Sequence, residues 1–89
     1  MTEVILDCRG FIPRSELHRA FAEALSFPNH YGNNLDALYD CLTSLSVETN
    51  LILDYWAAAE DSLGRYALGL KRVLEDAQNA NPNLHIQFR

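Results

Sequence analysis

Three short apolar runs, separated by longer segments with helical spacing, restrict this 89-residue chain to few folds. The runs cover residues 4–8, 51–55 and 84–88. Each intervening segment is long enough for a helical crossover, which parallel strands need and antiparallel hairpins do not. The sequence therefore predicts an α/β protein with a small parallel sheet packed by helices.

The residues of the three runs also indicate how each strand is buried. Residues 4–8 (VILDC) and 51–55 (LILDY) are nearly continuous apolar runs, typical of strands buried on both faces. In the last run, Leu84, Ile86 and Phe88 alternate with His85 and Gln87, as in a strand with one solvated face. We expect this last strand at an edge of the sheet.

Helical periodicity between the runs predicts four helices. Ser15 can cap a first helix that runs to about Leu25, with an apolar face made of Leu17, Phe21, Ala24 and Leu25. After the second strand, a short helix over residues 56–63 and an amphipathic helix from residue 65 to about residue 80 are expected. Pro82 lies just beyond the last of these, where a helix cannot continue.

The remaining helix follows the loop formed by His30, Tyr31 and Gly32. Asn33 or Asn34 can accept hydrogen bonds from the free amides at its start. Its apolar stripe is formed by leucines at positions 35, 38, 42 and 45. Thr49-Asn50 is expected to break the chain before the second strand.

Length and composition favour a single domain, residues 1–89, with a modest core. No apolar run approaches the roughly 18 residues of a membrane span, and no export signal is visible. We expect a cytoplasmic protein that contacts no membrane and is a monomer when free. Cys8 and Cys41 have no CxxC spacing, which favours two reduced, buried thiols.

The net charge of −5 is unevenly distributed along the chain. No Lys or Arg occurs between Arg19 and Arg65, an interval that contains seven acids: Glu23, Asp36, Asp40, Glu48, Asp54, Glu60 and Asp61. Part of the surface should therefore be strongly negative. Such a surface repels nucleic acid and attracts basic proteins.

Two carboxylates on the second helix are the strongest candidates for function. Asp36 and Asp40 are four residues apart, so they share one surface with Thr43, opposite the leucine stripe. Like charges at this spacing destabilise a helix slightly, and only Asp36 is near enough to the N-terminus to be offset by the helix dipole. An external cation, either a metal or a basic protein surface, is the simplest explanation.

Neighbouring residues favour a protein partner. His30, Tyr31 and Tyr39 place aromatic groups near the carboxylates, a combination enriched in protein interfaces. Gly32 and Asn34 allow the loop to approach a partner closely.

Two other kinds of site remain open as weaker alternatives. A metal site of His30, Asp36 and Asp40 is chemically possible but lacks a ligand. A nucleophilic thiol at Cys41 would need a neighbouring histidine, and no catalytic motif is present. We therefore expect no enzyme, no cofactor and no metal.

The segment YGNNLDALYDCLT, residues 31–43, resembles the signature of the barstar family of ribonuclease inhibitors. A weaker likeness extends over nearly the whole chain. The resemblance implies a three-stranded parallel sheet packed by three to four helices. It also implies one-to-one binding of a basic microbial ribonuclease of barnase type, with the second helix and its preceding loop blocking the active site.

The same resemblance implies roles for individual residues. Asp40 would take the place of a substrate phosphate, and Asp36 would pair with a neighbouring cation. Asp76 on the last helix matches an acidic contact of the family by position. The other partner-binding positions surround these acids: His30, Tyr31, Gly32, Asn34, Tyr39 and Thr43.

Three positions depart from the family pattern. His30 replaces an aromatic residue, and Tyr39 and Leu45 replace tryptophans. These departures bear on which ribonuclease is bound. A second hypothesis from the residues alone is an acidic adaptor for a basic partner that is not a nuclease, and inhibition of a nuclease would separate the two.

Overall fold

The computed structural model describes residues 1–89 and has the expected α/β architecture. Its elements in chain order are β1 (Thr2–Asp7), a 3-10 turn (Cys8–Gly10), α1 (Arg14–Leu25), α2 (Leu35–Thr43), β2 (Thr49–Asp54), α3 (Trp56–Leu63), α4 (Arg65–Ala80) and β3 (Leu84–Phe88). The strands form one parallel sheet in the order β1-β2-β3. The predicted fold class is confirmed.

The strand order decides which strand is buried. β2 is the central strand, and its residues Leu51, Ile52 and Leu53 are all buried, as predicted. The prediction that residues 4–8 form a strand buried on both faces is wrong. β1 lies at an edge, where Leu6 faces the core but Ile5 is 52% exposed. Sequence composition does not reveal this, because strand order depends on long-range packing.

The third strand agrees with its alternating sequence. β3 lies at the other edge, with Leu84 buried and His85 and Gln87 exposed. The prediction that Thr49-Asn50 breaks the chain before the second strand is wrong, because both residues belong to β2 and pair with β1 and β3. Pairing on both sides outweighs the weak strand propensity of asparagine.

Helix boundaries depart from the sequence prediction at two ends. α1 begins at Arg14, and Pro13 precedes it without a side-chain cap, so Ser15 lies inside the helix instead of capping it. Ala24, expected on the apolar face, is exposed, whereas His18 is buried there. α2 ends at Thr43, so Leu45 packs beside the core from the segment beyond the helix.

The core is one cluster of 17 buried residues contributed by the sheet and the helices. Within it, α2 and α4 pack side by side and run in the same direction. Leu35 at the start of α2 lies against Gly69, where an added Cβ would be only 3.1 Å from Leu35 Cδ1. At the other end, the Asn81 amide donates to the carbonyls of Leu42 and Leu45 at 2.9 and 3.0 Å. α4 therefore supports α2 along its length.

No helix combines the length and apolarity needed to cross a membrane.

Candidate functional site

The exposed side of α2 carries two carboxylates without a cationic partner. Asp36 lies in the first turn and Asp40 one turn later, and both are exposed. No cationic group of the chain lies within 4.0 Å of either carboxylate. The buried Leu38 and Leu42 fix the opposite side of the helix to the core. The predicted outward orientation of the acids is thus confirmed, and both remain available to a partner.

Acidic residues elsewhere are often paired within the chain. Five of them lie within 4.0 Å of an Arg or His: Asp7, Glu16, Glu23, Glu48 and Asp54. The Arg9 guanidinium lowers the pKa of Asp7 to about 2, because its hydrogen bonds favour the charged carboxylate. The α2 acids lack any such neutralisation.

Asn34 connects the loop to the start of α2. Its side-chain oxygen accepts a hydrogen bond from the Ala37 amide at 2.8 Å, so Asn34 is the N-cap. Its side-chain nitrogen donates to the Gly32 carbonyl at 3.3 Å. A Cβ on Gly32 would lie 3.3 Å from Ala37 Cβ, so glycine lets the loop fold tightly onto the helix. Gly32 and Asn34 are exposed beside this end of α2, whereas the exposed His30 lines a groove together with Asp40 and Ser44.

Tyr31 anchors the loop from inside the molecule. It is 9% exposed, and its hydroxyl lies 2.6 Å from His18 Nδ1 on α1. The other ring nitrogen of His18, Nε2, lies 2.6 Å from the hydroxyl of Tyr66 on α4. His18 therefore ties the loop before α2 to two helices. Little of the Tyr31 surface is left for a partner, so its position suits support of the loop.

Burial determines the protonation of this hydrogen-bonded group. His18 is buried, and the loss of solvation lowers its pKa below the ordinary value of 6.5. Burial also raises the pKa of Tyr31 and of Tyr66, so both hydroxyls keep their protons. Neutral His18 has one N–H and one acceptor nitrogen, so it donates to one tyrosine and accepts from the other. The group is held together without a buried charge.

The remaining predicted site residues are on or next to α2. Tyr39 is half-buried and packs against the core. Thr43 is also half-buried, and its hydroxyl donates to the carbonyls of Tyr39 and Asp40 at 2.9 and 3.1 Å. Asp76 is exposed on α4, the neighbouring helix. The structure thus places all the predicted residues on α2, on its loop or on the helix that supports it.

Sequence reasoning missed three residues that hold this surface in place: His18, Tyr66 and Asn81. Asn81 is 5% exposed, and its side-chain amide donates to the carbonyls of Leu42 and Leu45 at and just beyond the end of α2, where helix carbonyls lack intrahelical donors. One signal for His18 was available, because it stands next to Leu17 and three residues before Phe21 on the apolar face of α1.

The structure assembles neither of the two weaker alternatives, the metal site and the nucleophilic thiol. No group of three or more His, Cys, Asp or Glu side chains converges closely enough to hold a metal ion. Both cysteines are free; Cys8 is buried as predicted, whereas Cys41 is only half-buried. Burial raises the pKa of Cys8 to about 12 and also raises that of Cys41, so both favour the unreactive thiol.

Comparison with known proteins supports the resemblance to the barstar family over the whole chain. The family model described as Barstar (barnase inhibitor) matches residues 1–89. A relative from Bacillus subtilis (strain 168), named "Putative ribonuclease inhibitor YrdF", is 38% identical over 79 residues, which cover 88% of this chain and 87% of the relative. With its parallel sheet, its capped acidic helix and this match, the chain belongs to the barstar family.

Proposed function

We propose that this protein is a stoichiometric inhibitor of a basic microbial ribonuclease of barnase type. It binds the enzyme one to one and covers the active site with α2 and the loop from His30 to Asn34. The protein performs no chemistry of its own. Its effect comes from occupying the site that RNA would enter.

The observation that carries this proposal is the exposed, unpaired carboxylate of Asp40 in the centre of α2. A ribonuclease active site must attract the phosphates of RNA, so it is lined by cationic side chains. A fixed carboxylate can replace a phosphate there and form charge-assisted hydrogen bonds. Membership of the barstar family supports a ribonuclease as the source of these cations.

Each residue of the surface has a role in this proposal. Asp40 enters the phosphate site, and Asp36 pairs with a neighbouring cation. Asp76 extends the negative surface from the adjacent helix α4. Tyr39 and Thr43 pack around the acids, while Gly32 and Asn34 bring the loop backbone close to the enzyme.

Contacts within the free protein already hold α2 and its loop in place. Asn34 caps α2, Asn81 holds its far end, and the His18 group holds the loop. A rigid surface loses little conformational entropy when the complex forms, which favours high affinity. The physiological role that follows is protection of the producing cell's cytoplasm from its own ribonuclease or from a toxin delivered by a competitor.

The test is a titration of the purified protein into RNA cleavage by a barnase-type ribonuclease, preferably one encoded beside it. Residual activity is followed against molar ratio. We expect a linear fall to an endpoint near one to one, with an unrelated ribonuclease of the pancreatic type as the specificity control. If activity persists at large excess with barnase-type enzymes from several sources, the inhibitor proposal fails. The acidic surface would then belong to an adaptor for another basic protein.

A further inference from the structure

A groove of about 350 Å³ opens directly beside Asp40, between α2 and the segment that follows α1. Its floor is formed by apolar side chains that are half-buried and pack against the core: Leu25, Phe27, Cys41 and Leu45. Its rim includes the exposed polar residues His30, Asp40 and Ser44. The groove thus has an uncharged floor and one carboxylate at its edge.

The floor offers nothing to a polar group. Burial raises the pKa of the Cys41 thiol, so the thiol stays neutral. At the rim, the proton of the Ser44 hydroxyl is already used, because it donates to the Asp40 carbonyl at 2.7 Å. A charged group placed on this floor would lose its hydration without a partner, whereas an apolar group would gain from leaving water.

The edge of the groove indicates what kind of molecule supplies the apolar group. Asp40 has no cationic partner in this chain, so it is free to pair with a cation that lies next to the occupant of the groove. A second copy of this protein would bring a net charge of −5 instead. Charge complementarity therefore selects a basic protein surface.

We propose that the groove receives an apolar side chain of the ribonuclease, next in space to the cation that pairs with Asp40. This inference rests on the proposed function and adds a determinant of specificity to it. Asp40 recognises the positive charge common to ribonuclease active sites. The groove selects among such enzymes, because a ribonuclease with a charged side chain at this place would bind weakly.

Filling the groove tests the proposal. Ser44 is exposed just beyond α2, so Ser44→Trp adds bulk over the groove without entering the core. The probe is the barnase-type ribonuclease inhibited in the titration. We expect a rise of about tenfold or more in Kd, mainly through faster dissociation. Association should keep its dependence on salt, since Asp40 is still present.

The matched control is Ile5→Trp, which adds a similar bulk to an exposed position on β1. It should leave Kd unchanged. A second variant, Leu45→Ala, removes part of the floor from a half-buried side chain, and we expect about a tenfold faster dissociation. Thermal unfolding of each variant shows whether it folds, and Leu45→Ala decides the question if Ser44→Trp does not.

Two results would overturn the inference. Unchanged or tighter binding by Ser44→Trp would mean that the groove is empty in the complex. Weaker binding together with lost salt dependence would mean that the tryptophan only covers Asp40. The proposed function is judged separately with Asp40→Ala. If that variant inhibits normally, the interface itself is wrong, whereas a loss of inhibition by Asp40→Ala with normal binding by Ser44→Trp rejects the groove alone.

Discussion

Three acids at or next to the strand ends differ from the two acids of α2 in whether the chain pairs them with a cation. At the ends of the strands, Asp7 lies 2.7 Å from Arg9, and Asp54 lies 3.4 Å from Arg89. Glu48, just before β2, lies 2.9 Å from His85. Asp36 and Asp40 have no cationic partner at all. Each of these three strand-end acids therefore has a cationic group of the chain beside it, and the acids of α2 have none.

This difference distinguishes acids that are paired within the chain from acids of α2 that remain available to a partner. Surface ion pairs contribute little to stability, so the paired acids mainly lower the negative potential around the sheet. The unpaired acids leave the potential of α2 strong, and a strong potential speeds association with a basic protein. Substitutions in each of the two groups of acids test whether they differ in this way.

The largest effect is expected from Asp40→Ala on binding. Loss of a central charge leaves cations of the ribonuclease buried without a partner, so binding should weaken by at least about 3 kcal/mol, roughly a 100-fold rise in Kd. The unfolding temperature should hardly change, because the side chain is exposed. Inhibition titrations and thermal unfolding measure the two quantities.

The matched control for Asp40→Ala is Asp54→Ala, an acid that is paired within the chain. We expect normal inhibition and a stability loss below about 1 kcal/mol. Equal effects of the two substitutions on binding would remove the distinction between the acids of the sheet and those of α2.

The next effect concerns the support of the binding loop. His18→Ala removes a buried ring and leaves the hydroxyls of Tyr31 and Tyr66 without their partner. The free energy of unfolding should therefore fall by about 2 to 3 kcal/mol. Tyr66→Phe keeps the ring and removes one hydrogen bond, for which we expect about 1 kcal/mol. Urea denaturation measures both. A His18→Ala protein as stable as the unchanged one would show that the loop is held by packing alone.

A smaller effect is expected at the far end of α2. Asn81→Ala leaves the Leu45 carbonyl without its donor and the Leu42 carbonyl with only the long 3.4 Å bond from the Leu45 amide, which should cost about 1 to 2 kcal/mol of stability. Asn83→Ala is the control, because its side-chain amide makes only an exposed 3.4 Å contact with the Ser46 carbonyl. Urea denaturation should show a clear loss for the first variant alone. Similar losses in both would mean that α2 does not depend on Asn81.

The smallest effect is a dependence of stability on pH. The pKa of His18 is lower in the folded protein than its ordinary value of 6.5, so the unfolded chain binds this proton first. The stability that neutral His18 contributes is therefore fully present above pH 6.5. It is lost as the pH falls through 6.5 towards the pKa of His18 in the folded protein. Urea midpoints at about pH 7.5 and pH 5.5 measure it.

His18→Gln is the control for this pH dependence, because glutamine can donate and accept but does not titrate. Its stability should change less over the same range. Asp7 does not interfere, because its pKa is lowered from 3.8 to about 2 and its contribution is lost only between these values. An identical pH profile for His18→Gln would assign the effect to other groups.

Local patterns in the sequence predicted most of the fold. Three strands, their parallel arrangement and four helices follow from apolar periodicity and from the length of the connections. A cap at Asn33 or Asn34 and the outward direction of Asp36 and Asp40 follow from helix geometry within a few residues, and the structure selects Asn34 as the cap. The exposure of Ile5 on β1 and the burial of His18 on α1 could not be predicted in this way. Each depends on what the rest of the chain packs against it.

The sequence by itself determined the parallel α/β class, the acidic exposed side of α2 and the family to which the chain belongs. Only the tertiary structure decided how that side is supported: by His18 with Tyr31 and Tyr66, and by Asn81 at the end of α2. The groove beside Asp40 also exists only in the folded chain. The physical reason is distance along the sequence. Periodicity and capping act between near neighbours, whereas buried hydrogen bonds and grooves join residues that meet only when the helices pack.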